Sequence, residues 1–175
     1  GTHMFGSYSA SINGHTYPPM AVAGFFYGPI SPNRALAYDG AAFYTCGFSE
    51  YLWKVEWDGS WYSSATATIL SGTYSGAYGL AYDCSNDCLW MSTADYTGDV
   101  YQFSTEGDIL GIYSTLAAGY DIAGGCEMVN HPDYGFCLMM LQQYDPDTIT
   151  FLDVEASGPS AVENTSWGGV KALYR

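Results

Sequence analysis

The sequence has very few basic residues. It contains 4 Lys and Arg against 18 Asp and Glu, which gives a formal net charge of −14 at pH 7. Nucleic acid phosphates and anionic membrane surfaces repel a chain with such an excess of negative charge. We therefore exclude nucleic acid and the membrane as partners.

Long apolar runs and the local motifs of common enzymes are also missing. No run approaches the roughly 20 residues that a helix needs to span a bilayer. The sequence has no G-x-S-x-G, no H-E-x-x-H and no glycine-rich phosphate loop ahead of a helix. It has 3 histidines, of which His3 belongs to an initial Gly-Thr-His-Met that resembles a cloning remnant. The absence of these motifs and the small number of histidines argue against an enzymatic function but do not exclude it.

Tyrosine and glycine, by contrast, are abundant. The chain has 17 Tyr and 21 Gly, and 17% of its residues are aromatic while 13% are charged. A disordered acidic tail lacks aromatic residues, so this composition indicates a folded, β-rich domain.

The stretch from Gly79 to Thr115 is the clearest local pattern. Short runs of Leu, Val, Tyr, Trp and Ile alternate there with Gly, Asp and Asn clusters, which is typical of an antiparallel meander. The predicted strands are Gly79–Asp83, Cys88–Ala94, Asp99–Ser104 and Ile109–Thr115.

This meander recurs along the chain. ALAYD at Ala35–Asp39 matches GLAYD at Gly79–Asp83 with a spacing of 44 residues. A period of about 44–46 with four strands per unit is the size of a β-propeller blade. A β-sandwich also has short strands and turns, but nothing in a sandwich requires turns at equivalent places in successive units. The repeat therefore predicts an all-β, propeller-like array of four-stranded antiparallel blades.

The residues GLAYD…LWMST…DVYQFSTEGDILG resemble blades of the propeller superfamily that includes NHL, YVTN and streptogramin-lyase-like repeats. The resemblance covers roughly residues 35–157 and implies a fold rather than an activity. Streptogramin-lyase-like propellers use a central histidine with a carboxylate and a metal. No histidine other than His15 could take that place in a loop of the ligand face of the predicted propeller. We therefore do not carry the lyase activity over to this chain.

The pattern divides the chain into unequal units. Residues 5–11 align with residues 110–116 and so predict an outer strand, and a Gly/Pro-rich inserted loop follows, with a short strand possible at Met20–Tyr27. The predicted units are 1–4, a cloning remnant; 5–34, an outer strand of a partial blade plus the inserted loop; 35–77, blade 1; 78–123, blade 2; 124–168, blade 3; and 169–175, the inner strand of a further or composite blade.

Three blades plus a partial one leave the completion of the ring open. The chain could form an irregular four-bladed ring, homo-oligomerise to finish a larger ring, or be part of a longer protein. A sheet edge left exposed would invite pairing with another chain.

Four of the five cysteines flank predicted turns. Cys84 and Cys88 flank one turn, and Cys126 and Cys137 flank the equivalent turn of the next unit. Cysteines on facing strands can reach disulfide geometry, and neither spacing suits a zinc site. Two local disulfides, with free thiols as the alternative, predict an extracellular or periplasmic location.

Candidate ligand residues cluster in loops on one face of the predicted propeller. An acidic residue stands beside a tyrosine at the same loop in all three blades, and tyrosines occur in the blade-to-blade loops. Tyrosine rings with carboxylate acceptors suit a sugar or a cation, although Asp, Gly and Tyr are also ordinary turn residues. The candidates are Glu50, Tyr51, Tyr74, Asp95, Tyr96, Tyr120, Asp121, Tyr144 and Asp145.

Metal binding and catalysis have weaker signals. Asp145-Pro-Asp147 and Asp83 with Asp87 could each supply two carboxylates to calcium, but neither matches the known calcium loop. Asp95 and Asp121 could in principle act as paired carboxylates on a glycosidic bond. We expect no cofactor.

Together these observations predict a secreted, non-enzymatic module that binds a carbohydrate or a protein partner. The alternative is a metal-assisted lyase or a glycan hydrolase that uses carboxylates of the same face.

Overall fold

The computed structural model describes residues 3–17, 20–94, 98–114, 123–143, 147–154 and 160–166. These residues form fifteen strands and no helix. The strands are β1 His3–Tyr8, β2 Ser11–Thr16, β3 Ala21–Tyr27, β4 Ala35–Tyr38, β5 Phe43–Cys46, β6 Tyr51–Glu56, β7 Thr66–Thr73, β8 Ala77–Asp83, β9 Cys88–Thr93, β10 Asp99–Ser104, β11 Ile109–Ser114, β12 Ala123–His131, β13 Gly135–Gln142, β14 Thr148–Asp153 and β15 Ser160–Ser166.

Each of the four sheets is an antiparallel meander in chain order. The first sheet is β1–β3, the second β4–β7, the third β8–β11 and the fourth β12–β15. The prediction of an all-β, propeller-like arrangement of antiparallel blades is confirmed.

Apolar layers lie between successive sheets. Ile12 and Phe26 of the first sheet pack with Phe43 and Val55 of the second. A second layer joins the second and third sheets, and a third layer joins the third and fourth sheets. The first strands β4, β8 and β12 lie side by side. Because each sheet buries a face against the next, the sheets are arranged as successive blades around these inner strands.

The residue at or just after the end of each first strand closes the turn to the second strand. Asp39 accepts hydrogen bonds from the backbone N–H groups of Ala41 and Ala42, both at 2.7 Å. Asp83 accepts from the N–H of Ser85 at 2.9 Å. In the fourth sheet His131 Nδ1 accepts from the N–H of Asp133 at 3.2 Å. The repeated aspartate of ALAYD and GLAYD is thus a turn-forming residue.

The first sheet differs from the expectation for residues 5–34. Three strands replace the outer strand and the inserted loop, and β3 coincides closely with the short strand considered at Met20–Tyr27. Trp61 lies so close to Gly14 and Gly24 that a Cβ on either would fall 2.3 Å or 2.7 Å from its ring. The glycines that look like loop residues therefore let a tryptophan of the next sheet pack against the strands.

His3 and Met4, taken as part of a cloning remnant, belong to β1. The predicted inner strand at 169–175 lies outside the described residues. No helix long and apolar enough to cross a bilayer occurs in the described part of the chain.

The expected disulfides are absent, and all five cysteines are free thiols. Asp83 pairs with Cys88 across the turn, so Cys84 follows the strand end and is exposed while Cys88 is buried. Cys126 pairs with Met140, and Cys137 pairs with Val129. Cys137 and Met140 are an odd number of positions apart, so Cys126 and Cys137 lie on opposite faces of the sheet. Neither pair can reach disulfide geometry.

Candidate functional site

The structure describes three of the nine predicted ligand residues, namely Glu50, Tyr51 and Tyr74. The other six lie outside the described residues: Asp95, Tyr96, Tyr120, Asp121, Tyr144 and Asp145. That the acidic residue and the tyrosine beside it lie in the same loop of every blade, on one face of the propeller, therefore stays a prediction.

Tyr74 is a packing residue. It is half-buried, its ring lies edge-on to Phe103 at 5.1 Å, and it is tilted against Tyr101 at 5.8 Å. Its hydroxyl hydrogen bonds to Ser71. Its N–H donates to the carbonyl of Glu50 at 3.4 Å, which ties the end of β7 to the start of β6. Tyr74 thus supports the loop of Glu50 and offers little ring surface to a ligand.

Tyr51 and Glu50 remain accessible at the same loop. Tyr51 begins β6 with 42% of its surface exposed, and Glu50 is exposed. A Cβ on Gly47 would fall 2.9 Å from Cγ of Glu50 and 3.3 Å from the carbonyl oxygen of Pro32. Gly47 therefore brings the Glu50 loop next to the 28–34 linker that joins β3 to β4.

That linker carries Arg34, which belongs to none of the sequence motifs described above. Its guanidinium carbon lies 5.9 Å from the ring centres of both Phe48 and Tyr78. The two rings are edge to face, 6.3 Å apart at 86°. The N–H of Arg34 donates to the carbonyl of Cys46 at 3.1 Å, which fixes the backbone beneath the side chain. Both distances are within the range of cation–π attraction.

Arg34 has an unusual electrostatic position in this acidic chain. The described residues contain two Lys or Arg side chains, Arg34 and Lys54. Lys54 pairs with Glu106 at 3.4 Å. In the described part of the chain, Arg34 has no carboxylate partner. An exposed guanidinium held by aromatic rings, with its donors uncommitted, is suited to bind a carboxylate from outside.

A cavity of about 230 Å³ opens beside Arg34 and Tyr78. Its other walls include Gly6, Ser7, Gly79 and Gly125, so the inner strands β8 and β12 and strand β1 surround it. We name the surface formed by Arg34, Phe48, Tyr78, Glu50 and Tyr51 the arginine face. Arg34 and Tyr78 of this face line the cavity. The face as a whole offers N–H donors, a carboxylate acceptor and aromatic rings.

The described residues do not form the calcium site considered for Asp83 and Asp87. Asp83 is fully buried, and its oxygens accept from Asn86 Nδ2 at 2.9 Å and Trp90 Nε1 at 3.3 Å. Asp87 accepts from the hydroxyl of Tyr82 at 2.9 Å. No group of three or more metal-ligating side chains occurs in the described part of the chain. The Asp83 carboxylate thus stabilises the turn between β8 and β9, and the Asp87 carboxylate binds the hydroxyl of Tyr82.

Comparison with known proteins supports the fold alone. No protein-family model matches the sequence, and no curated protein matches it significantly. Among solved structures, hydrazine synthase of Kuenenia stuttgartiensis is similar, with 16% identity and a TM-score of 0.61 over 95% of this chain and 46% of that one. A candidate 6-phosphogluconolactonase from Bacteroides uniformis has 11% identity and a TM-score of 0.63 over 95% of this chain and 55% of that one.

A luciferin-regenerating enzyme is also similar, with 9% identity and a TM-score of 0.60 over 94% of this chain and 59% of that one. The chain therefore spans about half the length of these structures. At such low identity the likeness establishes a propeller-like fold and no specific family.

Proposed function

We propose that this protein is a non-enzymatic binding module that recognises an acidic carbohydrate through the arginine face. The observation that carries the proposal is the Arg34 guanidinium, which lies 5.9 Å from the rings of Phe48 and Tyr78 and has no carboxylate partner among the described residues. A sugar carboxylate is the group that this fork of N–H donors would take.

The neighbouring residues suit the rest of a sugar. The exposed rings of Phe48 and Tyr51 offer apolar surface to a pyranose ring, and the carboxylate of Glu50 can accept hydrogen bonds from hydroxyl groups. A location outside the cytoplasm remains part of the proposal. It is supported by the tyrosine- and glycine-rich composition and no longer by disulfides.

The test compares charged and neutral glycans. Because the chain carries a net charge of −14, the probe is an oligosaccharide with a single terminal glucuronate and not a polyanion. We expect this glycan to bind in isothermal titration calorimetry and its carboxyl-reduced, neutral counterpart to bind at least about tenfold more weakly, because a hydrogen-bonded charge contributes about 1.5–3 kcal/mol. Arg34→Gln should remove this preference. Lys54→Gln is the matched control, because it removes a cation that is already paired with Glu106.

Equal binding of the two glycans by the wild type would refute recognition of an acidic sugar. Binding that Arg34→Gln leaves intact would show that the arginine face is not the site. The alternative is a metal-assisted lyase or a glycan hydrolase that uses carboxylates of the predicted ligand face. Asp95 and Asp121, the pair considered for a glycan hydrolase, lie outside the described residues. Release of reducing ends from the same glycan, lost in Asp95→Asn, would favour it.

A further inference from the structure

The tyrosine that precedes the turn-forming aspartate occurs in both the second and the third sheet. It is Tyr38 in ALAYD and Tyr82 in GLAYD, and both side chains line one cavity of about 240 Å³. This cavity lies toward the ends of β4 and β8, whereas Arg34 precedes β4 and Tyr78 lies near the start of β8. It is therefore separate from the arginine face.

Aromatic rings form much of the wall of this cavity. Phe43 is fully buried beneath it. The ring of Tyr38 is stacked on Phe43 at 4.5 Å, and the ring of Phe5 meets Phe43 edge-on at 4.8 Å. The rings of Phe5 and Tyr38 are 6.0 Å apart. Because these rings pack against one another, the wall is formed before any ligand arrives.

The hydroxyl groups of the two tyrosines are already used. Tyr38 donates its hydroxyl to the carbonyl of Gly40 at 2.7 Å, and Tyr82 donates its hydroxyl to the carboxylate of Asp87 at 2.9 Å. The two side chains therefore offer a ligand their ring surfaces rather than hydrogen-bond donors. The negative face of an aromatic ring attracts a cation.

The charged groups at this cavity favour a cation as well. The carboxylate of Glu127 lines it, together with the imidazole of His3, and in the described part of the chain no lysine or arginine does. Glu127 reaches solvent, but neighbouring atoms displace part of its hydration, and this partial burial raises the pKa of its carboxyl. The hydrogen bond to Asp87 and the nearby charges of Asp87 and Asp39 contribute to raising the pKa of Tyr82 to about 12. The cavity thus lies in a negative potential.

We propose that this cavity is a second binding site, which takes a small organic cation with a methylated nitrogen. A metal ion needs several oxygen ligands, and the described residues contain no group of three or more metal-ligating side chains. A methylated ammonium group instead needs apolar contact and a diffuse negative charge, which the rings and Glu127 supply. The cavity is smaller than the roughly 300–1,000 Å³ of sites for drug-sized ligands, so it suits a small ion or a head group.

The proposal is independent of the acidic-carbohydrate site, because it uses no residue of the arginine face. Choline is the probe, and its neutral analogue, in which a carbon atom replaces the nitrogen, is the matched control ligand. The proton signal of the methyl groups is followed by NMR in about 0.15 M salt, which screens the non-specific attraction of cations to an acidic chain. We expect choline to bind with an upfield shift of this signal, and the neutral analogue to bind at least about tenfold more weakly.

Substitutions in the wall of the cavity locate the site. Tyr82→Leu and Glu127→Gln should each weaken choline binding about fivefold or more, because the first removes a ring and the second a charge. Tyr82→Phe should keep the affinity of the wild type within about twofold, since the ring remains. Glu106→Gln is the control for charge, because it removes an exposed carboxylate that pairs with Lys54 outside the cavity. Glu127 is also exposed, so Glu127→Gln should fold as the wild type does.

Three results would overturn the proposal. Equal binding of choline and its neutral analogue would show that the cavity does not select a cation. Wild-type affinity in both Tyr82→Leu and Glu127→Gln would place choline elsewhere. Loss of choline binding in Arg34→Gln would assign it to the arginine face, whereas unchanged binding in that variant supports a separate site. Because acidic glycans do not enter this experiment, its outcome is distinct from that of the carbohydrate test.

Discussion

Tyr44 donates its hydroxyl to the carboxylate of Asp39 over 2.7 Å. Tyr44 is fully buried, and the same aspartate closes the turn between β4 and β5. Partial burial raises the pKa of Asp39, but the hydrogen bonds from Ala42, Ala41 and Tyr44 outweigh that effect and hold the pKa below its ordinary value. Burial and then the hydrogen bond to Asp39 raise the pKa of Tyr44. The contact therefore depends on a charged aspartate.

This relationship predicts a pH-dependent contribution to stability. Because the pKa of Asp39 is lower in the folded protein, its contribution is present above the pKa of about 4 expected in the unfolded chain and is lost as pH falls through the folded value. Asp39→Asn should destabilise the protein clearly at pH 7 and much less at pH 3, measured by urea unfolding. Asp108→Asn, at an exposed position, is the control. An equal loss at both pH values would contradict the prediction.

Substitutions of Phe48 and of Tyr74 should have opposite effects, the first on glycan binding and the second on protein stability. Phe48→Ala removes a ring that is 43% exposed and in contact with Arg34, so we expect weaker glycan binding by about tenfold and a change in stability below about 0.5 kcal/mol. Tyr74→Leu removes packing against Phe103 and should cost about 1–2 kcal/mol with little effect on binding. Calorimetry and urea unfolding of both variants check this. The reverse pattern would show that Tyr74 is the ligand residue.

Trp61 should hold the first sheet to the second. Its ring lies against Gly14 and Gly24 and within 4.5 Å of the ring centre of Trp57. Trp61→Ala should lower the free energy of unfolding by about 2–4 kcal/mol and increase hydrogen exchange in β1–β3 before the other sheets. Trp61→Phe should keep part of the packing and lose less. Uniform exchange in all sheets of the alanine variant would argue against this local role.

The five thiols should differ sharply in reactivity. Cys84 is exposed, whereas Cys46 is buried and burial raises its pKa to about 12. Burial also raises the pKa of Cys126 to about 12. We expect iodoacetamide to modify Cys84 first, and the buried Cys46 only after unfolding, because the thiolate is the reactive form. Mass spectrometry of the labelled protein reads this out. A reductant should leave the melting temperature unchanged, and a drop would reveal a disulfide.

The sequence by itself determined the repeated unit. In Gly79–Thr115 the apolar runs, the turn residues and the spacing all act over a few neighbouring positions, so strands β8–β11 are readable from local patterns. The match of ALAYD with GLAYD reflects Asp39 and Asp83, which bind backbone N–H groups two or three residues ahead. Such contacts need no tertiary structure to be recognised.

Tertiary structure decided what depends on distant residues. Strand β2 contains Gly14 because Trp61, far along the chain, packs where a side chain would be, and glycine in a sequence otherwise indicates a loop. Cys126 and Cys137 flank a turn, but the register of β12 and β13 puts them on opposite faces. Arg34, Phe48 and Tyr78 come from three separate segments and meet only because β4, β5 and β8 are neighbours. Local patterns record which residues form strands, while the packing of sheet against sheet decides which side chains meet.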